Sequence, residues 1–113
     1  MELITERRGD ALVVSFGRTT SLEGERSASF KESIREIVEA GHCHVVLDLA
    51  LVEFIDSQGL GALIGALKNL RKGGGDLKLV RVPEVVEAVL SITKLARIFE
   101  THEEIDDAVG AFV

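Results

Sequence analysis

The run Val45-Val46-Leu47-Asp48-Leu49, and the segment Val52-Glu53-Phe54-Ile55-Asp56-Ser57-Gln58-Gly59-Leu60-Gly61-Ala62-Leu63 that follows it, decide how this chain folds. The first run is almost continuously apolar rather than alternating, as a central strand covered on both faces requires. From Ser57 onward Leu60, Leu63, Ile64, Leu67 and Leu70 recur at helical spacing, and Lys72-Gly73-Gly74-Gly75 ends the pattern. Glycines stop a helix at little cost. A covered strand feeding a helix through a short turn is the unit from which parallel sheets are built.

Outward from this unit the same alternation continues. Leu77-Lys78-Leu79-Val80 reads as the next strand, and Pro83 suits the first turn of a helix carrying Val85, Val86, Val89 and Leu90. A short strand around Ile98-Phe99 and a last helix with Ile105, Ala108, Val109 and Phe112 complete the C-terminal part. Upstream, Leu3-Ile4 and Ala11 to Phe16 read as two strands joined through Arg8-Gly9-Asp10, an N-terminal β-hairpin. A polar stretch from Arg18 to Ser29 leads into a helix marked by Phe30, Ile34, Ile37 and Val38 and closed by Gly41. The order β-β-α-β-α-β-α-β-α predicts an α/β sandwich with a mixed, mostly parallel sheet of about five strands and about four helices.

Residues 1–113 make a length suited to a single domain, with no linker or repeat. Hydrophobic residues are 46% and charged residues 28%, with no apolar run near the roughly 20 residues that span a bilayer. The N-terminus lacks a basic region followed by an apolar stretch, and Cys43 is the only cysteine, so a reducing, cytoplasmic setting is expected. A net charge of -6 argues against a nucleic-acid partner, whose phosphates need a basic face. With five Phe and neither Trp nor Tyr, a protein-binding surface would be chiefly aliphatic and polar.

The turn into the second helix is where chemistry concentrates. Ser57 stands at a helix N-terminus, where amides lack intrahelical acceptors and the macrodipole is positive. Its hydroxyl can cap the helix, and a phosphate there would be tolerated. Gly59 and Gly61 leave the approach free of side chains. The plainer reading makes Asp56 and Ser57 capping residues only, with the glycines serving helix packing. Thr19, Thr20 and Ser21 read as turn and cap residues.

Other constellations lead nowhere comparable. In His42-Cys43-His44, successive side chains entering a strand point to opposite faces and do not converge on a metal. Ile55 stands two residues before Ser57, so the Gly-x-Ser-x-Gly nucleophile elbow is not met. Gly59, Gly61 and Gly65 do not give the Gly-x-Gly-x-x-Gly spacing, and no Gly-Lys-Ser/Thr occurs. Asp48, Glu53 and Asp56 lack the acidic pair after the first strand that a receiver domain would use. No metal, cofactor or catalytic activity is expected.

The run from Val46 to Leu63, with Asp-Ser-x-Gly-Leu at Asp56 to Leu60, resembles the signature of STAS domains of the anti-sigma-factor-antagonist type. The hairpin, the Gly17 loop, Gly41, the Gly73 to Gly75 break and the terminal helix fall in that family's order, so the resemblance covers nearly the whole chain. It implies a non-enzymatic protein-binding switch with Ser57 as phosphoacceptor. An anti-sigma-factor serine kinase would be the partner and a serine phosphatase would reverse the modification. Carried over, Asp56, Gln58 and Gly59, with Thr19, Thr20 and Ser21, form the partner-binding surface. The family's acidic residue in the loop after the second strand is replaced by Thr20 or Ser21. The alternative is a STAS interaction module binding a different partner, in a signalling or transport assembly, without phosphorylation control.

Overall fold

The computed structural model describes residues 2–112. In chain order the elements are β1 (Leu3–Arg8), β2 (Ala11–Phe16), β3 (Thr20–Leu22), α1 (Gly24–Glu39), β4 (His44–Asp48) and β5 (Val52–Ile55). They continue with α2 (Ser57–Lys72), β6 (Asp76–Val80), α3 (Glu84–Ile92), a 3-10 turn (Leu95–Arg97), β7 (Glu100–His102) and α4 (Ile105–Gly110). The five-stranded sheet runs β1-β2-β4-β6-β7. Its β1–β2 pair is antiparallel and its other neighbours are parallel, so the hairpin and the mostly parallel mixed sheet are as expected.

The apolar run of β4 lies at the centre of this sheet because both of its faces are covered. Val45 and Leu47 join Leu12, Val14, Leu77 and Leu79 beneath α1, α2 and α3, while Val46 joins Ala11, Val13 and Val80 beneath α4. Val45, Val46 and Leu47 are all 0% exposed, so the strand has no solvated face. Removing that apolar surface from water, at about 25 cal/mol per Å², is the main force holding the layers together.

The element order departs from expectation at three places. A second, two-stranded parallel sheet, β3–β5, is absent from the sequence-based order. Thr20 and Ser21, expected in a turn, are strand residues within it. The strand expected at Ile98-Phe99 begins at Glu100 instead, after the 3-10 turn. Phe99 is 4% exposed and packs in the core ahead of a polar edge strand, so its hydrophobicity marks burial rather than pairing. Finally, β1 reaches Arg8, four residues beyond Ile4, because its exposed positions pair with β2 whatever their polarity.

The small sheet positions the site. β3 leads into α1 and β5 leads into α2. Pairing Ser21 with Phe54 and Leu22 with Ile55 therefore brings the beginnings of both helices to one corner.

Candidate functional site

The corner is organised by Asp56, the N-cap of α2, whose backbone is extended at φ -102 and ψ -173. Its Oδ1 accepts a hydrogen bond from the Gly59 amide at 2.8 Å, closing the first turn of the helix. Its Oδ2 accepts from the Gly24 amide at the start of α1 at 3.3 Å. The Asp56 amide donates to the Leu22 carbonyl at 3.1 Å. One residue thus ties β3, α1 and α2 together. The sequence allowed Ser57 to be the cap, and the structure assigns that task to Asp56. The carboxylate offers two separate oxygens, Oδ1 to one helix start and Oδ2 to the other, whereas a serine offers a single oxygen.

Ser57 is consequently the first residue of α2, exposed and free of capping duty. Among the described residues, the Ser57 and Gln58 amides have no acceptor in the chain. Gln58 is also exposed, whereas Gly59 is buried. A Cβ at position 59 would stand 2.1 Å from the Leu22 carbonyl oxygen and 2.8 Å from Ile55 Cγ1, so only glycine fits this close approach.

The three upstream residues do not all join this corner. Ser21 is buried, and its Oγ accepts a hydrogen bond from Arg26 Nη1 at 2.9 Å. Thr20 lies at the far end of β3, where its amide donates to the Leu51 carbonyl at 2.9 Å. Thr19 is exposed in the loop before it. The structure brings Asp56, Ser57, Gln58 and Gly59 together with Leu22 and Gly24, and leaves Thr19 and Thr20 one strand length away. Leu22 and Gly24 were missed in the sequence because they sit inside a polar stretch. The usable signal was Leu22 itself, an apolar residue followed by glycine two positions on.

Exposed apolar surface adjoins the turn. Phe54 on β5 is 45% exposed and Leu51 before it 41%, and Val85 on α3, which packs against β5, is 42% exposed. Glu53 is exposed beside them, so the surface is mixed, with one aromatic. Asp48 is not free to act here: its Oδ2 pairs with Arg81 at 2.8 Å and its Oδ1 accepts from the Ala50 amide at 3.0 Å. His44, from the His-Cys-His triplet, stacks on Phe112 with ring centroids 4.7 Å apart. No described helix is long and apolar enough to cross a membrane.

Comparison with known proteins agrees with this architecture. The model of the STAS domain family matches residues 2–108. A Thermotoga maritima protein provisionally named an anti-sigma factor antagonist is 39% identical over 74 residues, 66% of this chain and 66% of that protein. A crystal structure of a Thermotoga maritima protein bearing that provisional name superposes with a TM-score of 0.86 at 32% identity, covering 97% of this chain and 93% of the other. The Bacillus cell-fate determinant SpoIIAA, in its phosphorylated form, gives a TM-score of 0.70 at 16% identity over 96% of this chain and 97% of its own, a likeness of fold. Matched over nearly its whole length, the chain belongs to the STAS domain family, among relatives named as anti-sigma factor antagonists.

Proposed function

We propose that this chain is an anti-sigma factor antagonist whose hold on its partner is switched by phosphorylation of Ser57. The observation that carries this reading is the division of labour at the turn. Asp56 does the capping, so the Ser57 hydroxyl is exposed and available at a helix N-terminus. A kinase-type anti-sigma factor would bind the surface formed by Asp56, Ser57, Gln58 and the exposed Phe54, leaving its sigma factor free. Transfer of the ATP γ-phosphoryl group to Ser57 Oγ, with loss of the hydroxyl proton and departure of ADP, would end that binding. A serine phosphatase would restore the hydroxyl by hydrolysis.

The energetics favour an interface effect. Phosphate adds about -1.5 to -2 charges beside Asp56 and Glu53, on a surface that binding must desolvate. Thr20 or Ser21 stands where the family pattern has an acidic residue, and the Ser21 hydroxyl is engaged by Arg26. Phosphoryl transfer would therefore rely on the kinase's own catalytic groups. The setting is cytoplasmic, where the kinase, its ATP and a sigma factor are found together.

The test is incubation with the anti-sigma-factor kinase of the same organism and ATP, followed by mass spectrometry. One phosphate on Ser57, absent from Ser57→Ala, is the expected result. Absence of both phosphate and complex would sink the reading.

A further inference from the structure

The seam between α1 and α2 begins at Gln58, beside the Ser57 turn, and beyond it carries features that the turn does not use. Two open depressions, of about 380 and 320 Å³, adjoin along it and share Ala28 and Lys31. The first is lined by Ser27, Gln58 and Gly61, and the second by Gly65 and Asn69.

No neighbouring atom requires glycine at position 61 or 65. A Cβ at either position would meet nothing within 4 Å, in contrast to Gly59. Glycine inside a helix is unfavourable, because it gives up the most backbone freedom on folding. What these two residues provide is bare helix backbone, one turn apart, open to close approach from outside.

Ser27 points the same way. It is 2% exposed and its Oγ has no hydrogen-bond partner among the described residues. A buried hydroxyl is ordinarily satisfied, and a helical serine usually bonds the carbonyl four residues back. Ser27 lines the same depression as Gly61.

Charge selects the occupant. α2 carries Lys68, Arg71 and Lys72 and no acidic residue, on a chain of net charge -6. Among the described residues Lys31, which lines both depressions, forms no ion pair, while Glu32, which also lines the seam, is held by Arg35.

We propose that the α1–α2 seam is a docking groove for an acidic helical segment of the partner protein. The segment's backbone packs close over Gly61 and Gly65. A polar group on it completes the hydrogen bonding of Ser27, and its acidic side chains meet Lys31. Small residues spaced by one turn suit the ridge of a second helix. This deepens the preceding proposal and rests on the existence of a protein partner.

The probe is a synthetic amphipathic helical peptide with alanines along one face and flanking glutamates, and a lysine-flanked version serves as control. With the isotope-labelled chain, the acidic peptide at millimolar concentration is expected to shift the amide resonances of Ala28, Lys31, Gly61 and Gly65. The lysine version should not, and Gly61→Leu with Gly65→Leu should abolish the shifts. No shifts, or equal shifts with both peptides, overturn the proposal. So does a dimer of the chain alone that the double variant dissolves, since a second copy would then own the groove.

Folding is checked independently. Gly61→Ala and Gly65→Ala should each raise Tm by about 2–5 °C. A fall would give these glycines a structural cause and remove the argument. Against the full-length anti-sigma-factor kinase, the double leucine variant should bind at least tenfold more weakly. Equal binding would overturn the groove and leave the Ser57 switch standing, whereas groove shifts without Ser57 phosphorylation would fail the switch alone.

Discussion

Asp56 serves two helix starts with one carboxylate, so its loss should exceed that of an ordinary cap. Asp56→Ala removes the bond from the Gly59 amide and the bond from the Gly24 amide together. Loss of a cap costs about 1–2 kcal/mol, and a second partly exposed bond adds up to about 1 kcal/mol. Urea unfolding should therefore place Asp56→Ala about 2 kcal/mol below wild type, with Asp56→Asn in between. Equal stability of all three would remove Asp56 from its organising role. Gly59→Ala tests the neighbouring contact with the sign reversed from Gly61→Ala. Alanine is the better helix former by about 1 kcal/mol, yet its Cβ would lie 2.1 Å from the Leu22 carbonyl oxygen. Overpacking should win and lower stability by about 1–3 kcal/mol. Sequence showed a polar side chain at a helix start with glycine behind it. Which of Asp56 and Ser57 capped, and why glycine was needed at 59 and not at 61, depended on where Leu22 and Gly24 came to lie, a contact across more than thirty positions of chain.

At the level of elements, legibility followed length and burial. α1 and α2 were readable because buried positions recur in them at helical spacing, and β4 and β6 because their burial is nearly continuous. β3 and β5 were not: three and four residues are too few to set a period, and in β5 the two exposed residues, Glu53 and Phe54, are consecutive rather than alternating. Lys78 is the exception inside a readable strand. It is 4% exposed in β6, bonded to Glu100 at 2.9 Å and set over the Phe112 ring at 4.6 Å. Its partner Glu100 also meets His102 Nε2 at 2.6 Å. The bond from His102, then that from Lys78, holds the Glu100 carboxyl below the usual carboxylate range. A lowered folded value means the unfolded chain binds the proton more readily. The stabilisation is thus present above the unfolded value near pH 4.3 and is lost as pH falls through the folded one. Glu100→Gln should be less stable than wild type at pH 7, and the two should converge as pH falls toward 3. A gap in urea midpoints unchanged between those pH values would show that the ionised carboxylate contributes nothing.

Taken whole, the molecule is a sheet covered on both faces, with its candidate switch on an exposed corner outside either apolar cluster. The covered sheet was legible because patterning alone demands it. The corner was legible only as an open helix start, since the second sheet that builds it left no period. This placement bears on how phosphorylation would act. A charge at position 57 buries nothing and breaks no bond among the described residues, and at a helix N-terminus it gains about 0.3–1 kcal/mol. Reversing a 99:1 population takes about 5.5 kcal/mol, so the helix contribution cannot drive the chain into a second conformation. The discrimination has to arise where Ser57 meets the partner, through desolvation and repulsion beside Asp56 and Glu53. Ser57→Asp should therefore keep its Tm within about 2 °C of wild type, with amide shifts confined to β5 and the first turns of α1 and α2. It should nonetheless bind the anti-sigma-factor kinase at least tenfold more weakly, while Ser57→Ala binds like wild type. Shifts reaching β1 or α4 would mean that the switch works through the fold, and equal binding by both variants would mean that charge at Ser57 is not the signal.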